Sequence, residues 1–161
     1  MVIWLSLFKL IYYSSNMKHK LIHFIKYGAF TILWMAFIFF LSAQSRLDIG
    51  LEDLWDIIFK KAAHIFVYTI LALLITKLLY GYRHWSQQGG RVNSLLIIIL
   101  AFLVGFVFAL SDEYHQALVP GRDGNMMDVY MDSLGLFMGV VWGYRLHLDK
   151  LRHGLKVLFS K

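Results

Sequence analysis

The sequence predicts an all-α, polytopic membrane protein, a bundle of four transmembrane helices with both termini in the cytoplasm. Three observations predict this class: the composition, the length of the apolar segments and the distribution of Lys and Arg. Of the 161 residues, 59% are hydrophobic and 17% are aromatic, whereas ordinary soluble domains have an apolar share of ~45–50%. This composition argues against a disordered chain, a fibrous protein or a water-soluble enzyme. The chain has no cysteine, which excludes disulfides, thiolate metal sites and thiol nucleophiles.

Four apolar segments are long enough to cross a membrane. A spanning helix needs ~20 mainly apolar residues, because every backbone polar group must be hydrogen-bonded within the segment. The third segment is uncharged, and the fourth is less apolar because it contains two aspartates. The predicted spans are approximately Phe24–Ala43, Ala62–Tyr82, Ser94–Leu110 and Met126–Leu146.

The distribution of Lys and Arg predicts the orientation of these spans. Twelve of the 16 basic residues lie in the N-terminal segment, the second connection and the C-terminal tail, and nine of the ten carboxylates lie on the opposite side. Because Lys and Arg accumulate in cytoplasmic segments, we expect the first and third connections to face outward. The formal charge of +6 then reflects membrane topology, and we expect no nucleic-acid partner.

The chain divides into three parts around the spans. Residues 20–148 are predicted to form the four-helix membrane domain, and residues 149–161 a basic cytoplasmic tail. Residues 1–19 are predicted to be an N-terminal extension, because their apolar run of about a dozen residues is too short to span. Met17 offers an alternative start, and an amphipathic surface segment is the other interpretation.

Ionisable residues concentrate at the predicted outer ends of the spans. Such groups cost ~2.5–3.5 kcal/mol at the centre of a membrane helix, so their placement is informative about function. At the end of the third span, Asp112, His115 and Gln116 are spaced i, i+3, i+4 and share one helix face. At the start of the fourth, Asp128 and Asp132 are spaced i, i+4.

The start of the fourth span also offers structural roles for polar residues. Asn125 or Asp123 can cap the helix, and Asp128 is either a second group that meets the free amides or a site residue. Asp132 lies about 6 Å deeper, beyond those amides, so it needs another partner. Small residues continue the same helix face and allow close packing, which turns both aspartates toward the bundle interior. These small residues are Gly135, Gly139 and Gly143.

The second span offers partners for these carboxylates. Lys60, Lys61, His64 and Tyr68 form a polar stripe that begins at its outer end and fades inward. A single histidine near a helix end is commonly just hydrogen-bonded, but one that faces several carboxylates is a candidate base or metal ligand. Ser42, at the outer end of the first span, is interpreted as a cap or an interfacial hydrogen-bond donor.

Together these motifs resemble the VanZ-like family of membrane proteins. The resemblance rests on three segments: FFLSAQS, which closes the first span, KAAHIFVY, which opens the second, and SDEYHQALVPGRDGNMMDVYMDSLG. The family pattern has a K-x-x-H block first, then S-D-E-x-x-Q, then P-G-R. It ends with an Asp that is followed in the next helix by Asp or Asn and by Gly. The resemblance covers about residues 20–148. It implies a multispan membrane protein, linked through the family's founding member to teicoplanin-type glycopeptide resistance, with no settled reaction.

The leading functional hypothesis is an outward-facing site that binds or modifies an envelope lipid or a lipid-linked cell-wall intermediate. Basic residues would meet phosphate, and the other polar groups would supply acid/base chemistry or ligands for a divalent cation. The candidate catalytic residues are His64, Asp112, Glu113, His115, Asp128 and Asp132. The candidate substrate-binding residues are Lys61, Tyr68, Gln116 and Arg122. A non-catalytic scaffold or interaction factor of the cell envelope is the alternative, whereas the apolar inner part of the third span argues against a transporter.

Overall fold

The computed structural model describes residues 2–44, 53–85, 93–120 and 124–159. They form four α-helices, which we number α1 (Val2–Ser42), α2 (Asp53–Trp85), α3 (Ser94–Leu118) and α4 (Met126–Phe159). Within these ranges the structure contains no β-strand. The prediction of an all-α protein is confirmed.

Each helix is longer than the apolar span predicted for it. For example, α2 begins at Asp53 and α3 continues to Leu118, so polar residues at the predicted outer ends belong to the helices. At the other end of the bundle, α4 continues through the predicted tail to Phe159. Hydropathy marks only the part of a helix that suits hydrocarbon, whereas backbone hydrogen bonding continues beyond it.

Three of the helices are long and apolar enough to cross a membrane. The corresponding spans are Leu21–Ser42, Trp55–Gly81 and Ser94–Leu118. Among the described residues, α4 does not meet the same criterion of apolarity, although it has 34 residues. That α4 crosses the membrane and that both termini are cytoplasmic therefore stay predictions.

Large apolar side chains cover the outside of the bundle. Phe40 in α1, Val107 in α3 and Phe137 in α4 are each more than 60% exposed, and many other large apolar residues on all four helices are at least 40% exposed. Soluble monomers rarely expose so much apolar surface. This surface suits contact with lipid chains.

Helix α2 is central, because it packs more extensively against the other helices than any of them does, above all against α4. Its residues Tyr68, Leu71 and Ile75 belong to the buried core, which all four helices share. The indole nitrogen of Trp34 in α1 donates a hydrogen bond to the carbonyl oxygen of Val67 at 2.9 Å. This bond ties α1 to the part of α2 that carries Tyr68.

Helices α2 and α4 approach closely through the glycines of α4. A Cβ atom at Gly135 would overlap the carbonyl oxygen of Ile65, and one at Gly139 would overlap that of Thr69. The hydroxyl of Thr69 also donates to the carbonyl oxygen of Gly135 at 3.1 Å. The predicted packing role of these glycines is confirmed, and α2 is the partner helix. The close packing turns the two aspartates of α4 toward α2.

Candidate functional site

An ionisable pair joins α2 to α4 inside the bundle. The Nδ1 atom of His64 lies 2.8 Å from Oδ1 of Asp132, and the two side chains are 17% and 1% exposed. A carboxylate buried this deeply needs a hydrogen-bonding partner, because an unpaired charge in an apolar interior is costly. The expectation that Asp132 finds its partner in the second span is confirmed. Since Nδ1 is engaged, Nε2 is the ring nitrogen left for proton exchange or for a ligand.

A second ion pair lies one helical turn closer to the predicted outer surface. The Nζ atom of Lys61 is 2.5 Å from Oδ1 of Asp128, and the side chains are 27% and 21% exposed. Asp128 therefore uses its carboxylate to pair with α2. The neighbouring Lys60 turns away and pairs with Asp56 on its own helix. The pairing residue numbers increase together along α2 and α4, so the two helices run in parallel.

Asp112 of α3 is held by donors from three helices. Its Oδ2 atom accepts hydrogen bonds from the hydroxyl of Ser42 at 2.8 Å, the hydroxyl of Tyr68 at 3.3 Å and the amide of Gln116 at 3.2 Å. The amide of Gln116 also donates to the Ser42 hydroxyl at 3.3 Å. Asp112 itself is 1% exposed. The network thus connects α1, α2 and α3 through one carboxylate oxygen.

Glu113 connects α3 to the start of α4. Its Oε1 atom accepts a hydrogen bond from the backbone N–H of Asn125. The side chain of Asn125 in turn accepts from the backbone N–H of Met127 at 3.0 Å, which confirms the predicted cap. Because the capping residue is bound to Glu113, the beginning of α4 is positioned by a residue at the outer end of α3.

These groups form one cluster, which we call the outer cluster. The charges of Asp128, Asp132 and Glu113 all act on His64, and that of Asp112 acts on Asp132. Every member was a candidate on sequence grounds. The outer cluster consists of Lys61, His64, Tyr68, Asp112, Glu113, Gln116, Asp128 and Asp132.

Three buried carboxylates in this cluster each retain an oxygen with no protein partner among the described residues. These atoms are Oδ1 of Asp112, Oε2 of Glu113 and Oδ2 of Asp132. Buried polar atoms are nearly always hydrogen-bonded in folded proteins. The cluster therefore has unused capacity to accept hydrogen bonds from a bound molecule or to carry protons.

Of the two remaining candidate site residues, the described part of the chain shows only His115. The imidazole of His115 lies against the ring of Phe39, with centroids 4.4 Å apart, and its Nδ1 atom has no hydrogen-bond partner in the described part of the chain. Its spacing on α3 places it on the same face as Asp112, but there it contacts the ring of Phe39 and no polar group of the outer cluster. Arg122 lies outside the described residues.

The described residues give limited support to a metal site. No three His, Cys, Asp or Glu side chains among them are arranged to hold a metal ion. In the outer cluster each carboxylate uses one oxygen for a side-chain or backbone donor of the protein itself. The divalent-cation hypothesis therefore finds no preformed ligand set in this part of the chain.

Some contacts that hold the site were not anticipated from the sequence. The indole of Trp34 and the hydroxyl of Thr69 bind backbone carbonyls of neighbouring helices, and Asp56 binds Lys60. The spacing of Asp56 and Lys60, i and i+4, is a recognisable signal for a helix ion pair. No comparable sequence signal exists for Trp34, because its partner depends on how α1 and α2 pack.

The fold and the site define a helical membrane protein with a buried cluster of carboxylates, a histidine and a lysine near one end of the bundle. A family model described as VanZ/LLP1 matches residues 2–147. The chain belongs to this family. Searches of curated proteins and of solved structures found no significant match.

Proposed function

We propose that the outer cluster binds the head group of an envelope lipid or of a lipid-linked cell-wall intermediate. The observation that carries the proposal is the buried pair of His64 and Asp132. Ionisable groups between membrane helices are costly and are characteristic of functional sites. Here the pair lies beside two further buried carboxylates, Asp112 and Glu113, which packing alone does not require.

The exposure of the side chains supports access from one end of the cluster. Lys61 and Asp128 retain solvent access, His64 is less exposed, and Asp132 is fully buried. A phosphate at the entrance would meet the ammonium group of Lys61, and Arg122 is the second cation proposed to meet it. Deeper in the cluster, the unpartnered carboxylate oxygens would accept hydrogen bonds from hydroxyl or amino groups of the head group.

The same geometry assigns roles if the bound molecule is modified. His64 is the proposed general base, because its Nε2 atom is not engaged with Asp132. Asp132 would hold the imidazole ring in place and stabilise its protonated form. We place the protein in the cell membrane with this end of the bundle outside the cytoplasm, and we extend the proposal to teicoplanin-type glycopeptide resistance, as the VanZ-like resemblance implies.

The test is to replace single side chains of the cluster by neutral ones of the same size, and to measure the phenotype and the amount of protein together. Asp132→Asn keeps the volume of the side chain and an acceptor for His64, but removes the charge. We expect this variant to lose complementation of a deletion strain, scored as teicoplanin susceptibility and envelope integrity, with near-normal amounts in membrane fractions. The matched control is Asp56→Asn, the same exchange in an ion pair that Asp56 forms with Lys60 within α2, away from α4, and it should complement fully.

A non-catalytic scaffold is the second candidate, and a specific observation favours it. The hydrogen bonds of Asp112 join α1, α2 and α3, and the two ion pairs join α2 to α4. Buried polar networks of this kind can specify helix packing without chemistry. If each loss of phenotype in the Asp132→Asn and His64→Gln variants follows a proportional loss of protein, the scaffold explanation replaces the binding site.

A further inference from the structure

A second group of polar side chains lies at the opposite end of the bundle. The imidazole of His23 in α1 packs so closely on Gly81 of α2 that a Cβ atom there would overlap the ring. The adjacent Tyr80 stacks on His147 of α4, with ring centroids 3.8 Å apart and an interplanar angle of 12°. Three helices therefore meet at this point.

Two lysines extend this meeting point. Lys26 follows His23 by three residues in α1, and Lys150 follows His147 by three residues in α4, so each lies on the same helix face as the ring before it. Both positive charges act on His23. We call His23, Lys26, Tyr80, His147 and Lys150 the inner group.

The described residues provide no carboxylate that neutralises these charges. Asp149 is the neighbouring acid, but its carboxylate lies 4.0 Å from the guanidinium of Arg152 and both side chains are at least 70% exposed. The Nδ1 atom of His23 is buried and has no hydrogen-bond partner among the described residues. Positive charges that converge without an anion repel each other, so an anionic ligand would stabilise this arrangement.

The position along the helices indicates where that anion comes from. The apolar span of α1 begins at Leu21 and that of α2 ends at Gly81. His23 and Gly81 therefore lie at the edge of the hydrocarbon layer, which is the level of the lipid head groups. Lys and Arg at this level are each attracted to anionic lipids by about 1 kcal/mol.

We propose that the inner group binds the phosphate of an anionic phospholipid. The two ammonium groups supply charge. The imidazole of His23 is held in place by the backbone of α2 and supplies a donor through Nε2, because Nδ1 is buried against Gly81. This site is separate from the outer cluster and does not depend on the function proposed for it. Its role is to anchor the ends of α1, α2 and α4 to one lipid molecule.

The experiment measures lipid binding to the purified full-length chain in a neutral detergent. Phosphatidylglycerol is titrated into the protein, and two quantities are measured: the unfolding temperature and, by native mass spectrometry, the amount of lipid retained. Phosphatidylcholine serves as the zwitterionic comparison. We expect phosphatidylglycerol to be retained and to raise the unfolding temperature. The Lys26→Gln, Lys150→Gln double variant should bind about 25-fold more weakly, about fivefold for each lysine.

The matched control is the Lys18→Gln, Lys156→Gln double variant. It removes the same two charges from exposed positions of the same two helices and should bind as tightly as the wild type. Both double variants should fold without lipid, because all four lysines are exposed. Without lipid, the Lys26→Gln, Lys150→Gln variant should unfold at or above the wild-type temperature, since it removes the repulsion between the two charges. Equal weakening in the two double variants, or equal binding of phosphatidylcholine, would overturn the proposal. Displacement of phosphatidylglycerol by an equal concentration of inorganic phosphate would also overturn it, since free phosphate would then be the ligand.

Discussion

His64 and Lys61 each pair with an aspartate of α4, but the two pairs lie in different surroundings. The Lys61 and Asp128 side chains are 27% and 21% exposed, so water reaches and screens this pair, and ion pairs screened by water contribute ~0–1 kcal/mol. Asp132 is 1% exposed, and removal of one member of a buried pair costs ~3–5 kcal/mol, because the remaining group is left without a partner. Neighbouring contacts of the same type therefore differ in their effect on stability.

At this scale we predict that Asp132→Ala destabilises the protein far more than Asp128→Ala. The first change should lower the free energy of unfolding by about 3 kcal/mol or more, and the second by about 1 kcal/mol or less. The measurement is chemical or thermal unfolding of the purified chain in detergent micelles, followed by circular dichroism. Equal destabilisation by the two variants would contradict the difference in burial.

The sequence predicted the individual site residues better than their contacts. Asp132 was expected to need a partner because it lies too deep for the helix N-terminal amides, and that argument uses spacing along one helix only. The bond from Ser42 to Asp112 joins residues 70 positions apart, so it depends on the rotation and height of α1 against α3. His115 shows the same limit, because its spacing predicted the face that it shares with Asp112 but not its contact with Phe39.

At the scale of the elements, the contact between α2 and α4 determines the site. The glycines of α4 bring its backbone against that of α2, and this approach brings the Asp128 and Asp132 carboxylates within reach of Lys61 and His64. Helix association in lipid relies on close packing of this kind, because lipid chains are as apolar as the helix side chains. The small-residue pattern was visible in the sequence, whereas the identity of the partner helix required the structure.

We predict that Gly139→Ala is sufficient to disturb this contact. The added Cβ would overlap the backbone carbonyl of Thr69, and a backbone atom cannot move aside as a flexible side chain can. The expected result is lower accumulation in the membrane and a lower unfolding temperature, measured by immunoblot and by thermal unfolding in detergent. The larger change, Gly139→Leu, should have a stronger effect.

The control for this prediction is Gly28→Ala. A Cβ at Gly28 has its nearest neighbour, a side-chain atom of Leu78, at 4.0 Å, so the alanine fits without displacement. Because alanine favours the helix over glycine by ~0.8–1.0 kcal/mol, this variant should be unchanged or more stable. Wild-type behaviour of Gly139→Ala would mean that the helices separate at this point without loss, and the packing argument would fail.

At the scale of the whole molecule, the sequence predicted the all-α class and the approximate positions of all four helices. The apolar segments specify these positions because the hydrocarbon layer requires long, internally hydrogen-bonded helices. The helix ends were predicted less well, because the outer turns of α2 and α3 carry the polar residues of the cluster and are not distinguished by hydropathy. The central position of α2 was also not predictable, since neighbours in sequence are not the most closely packed helices here.

The last prediction concerns the orientation of the bundle, which determines which leaflet each polar group faces. The chain has no cysteine, so single cysteines can be introduced and labelled in intact cells with a membrane-impermeant maleimide. The 12-to-4 distribution of Lys and Arg predicts labelling of Arg122→Cys and Met126→Cys at the outer end, and protection of Gln88→Cys and Arg152→Cys until the cells are opened. Met126 and Arg152 are exposed on the two ends of α4, so the same pair also tests whether α4 crosses the membrane. If Met126→Cys and Arg152→Cys are both labelled in intact cells, both ends of α4 lie outside and α4 does not cross the membrane. If Gln88→Cys is labelled in intact cells, the orientation is reversed and the outer cluster lies at the cytoplasmic face.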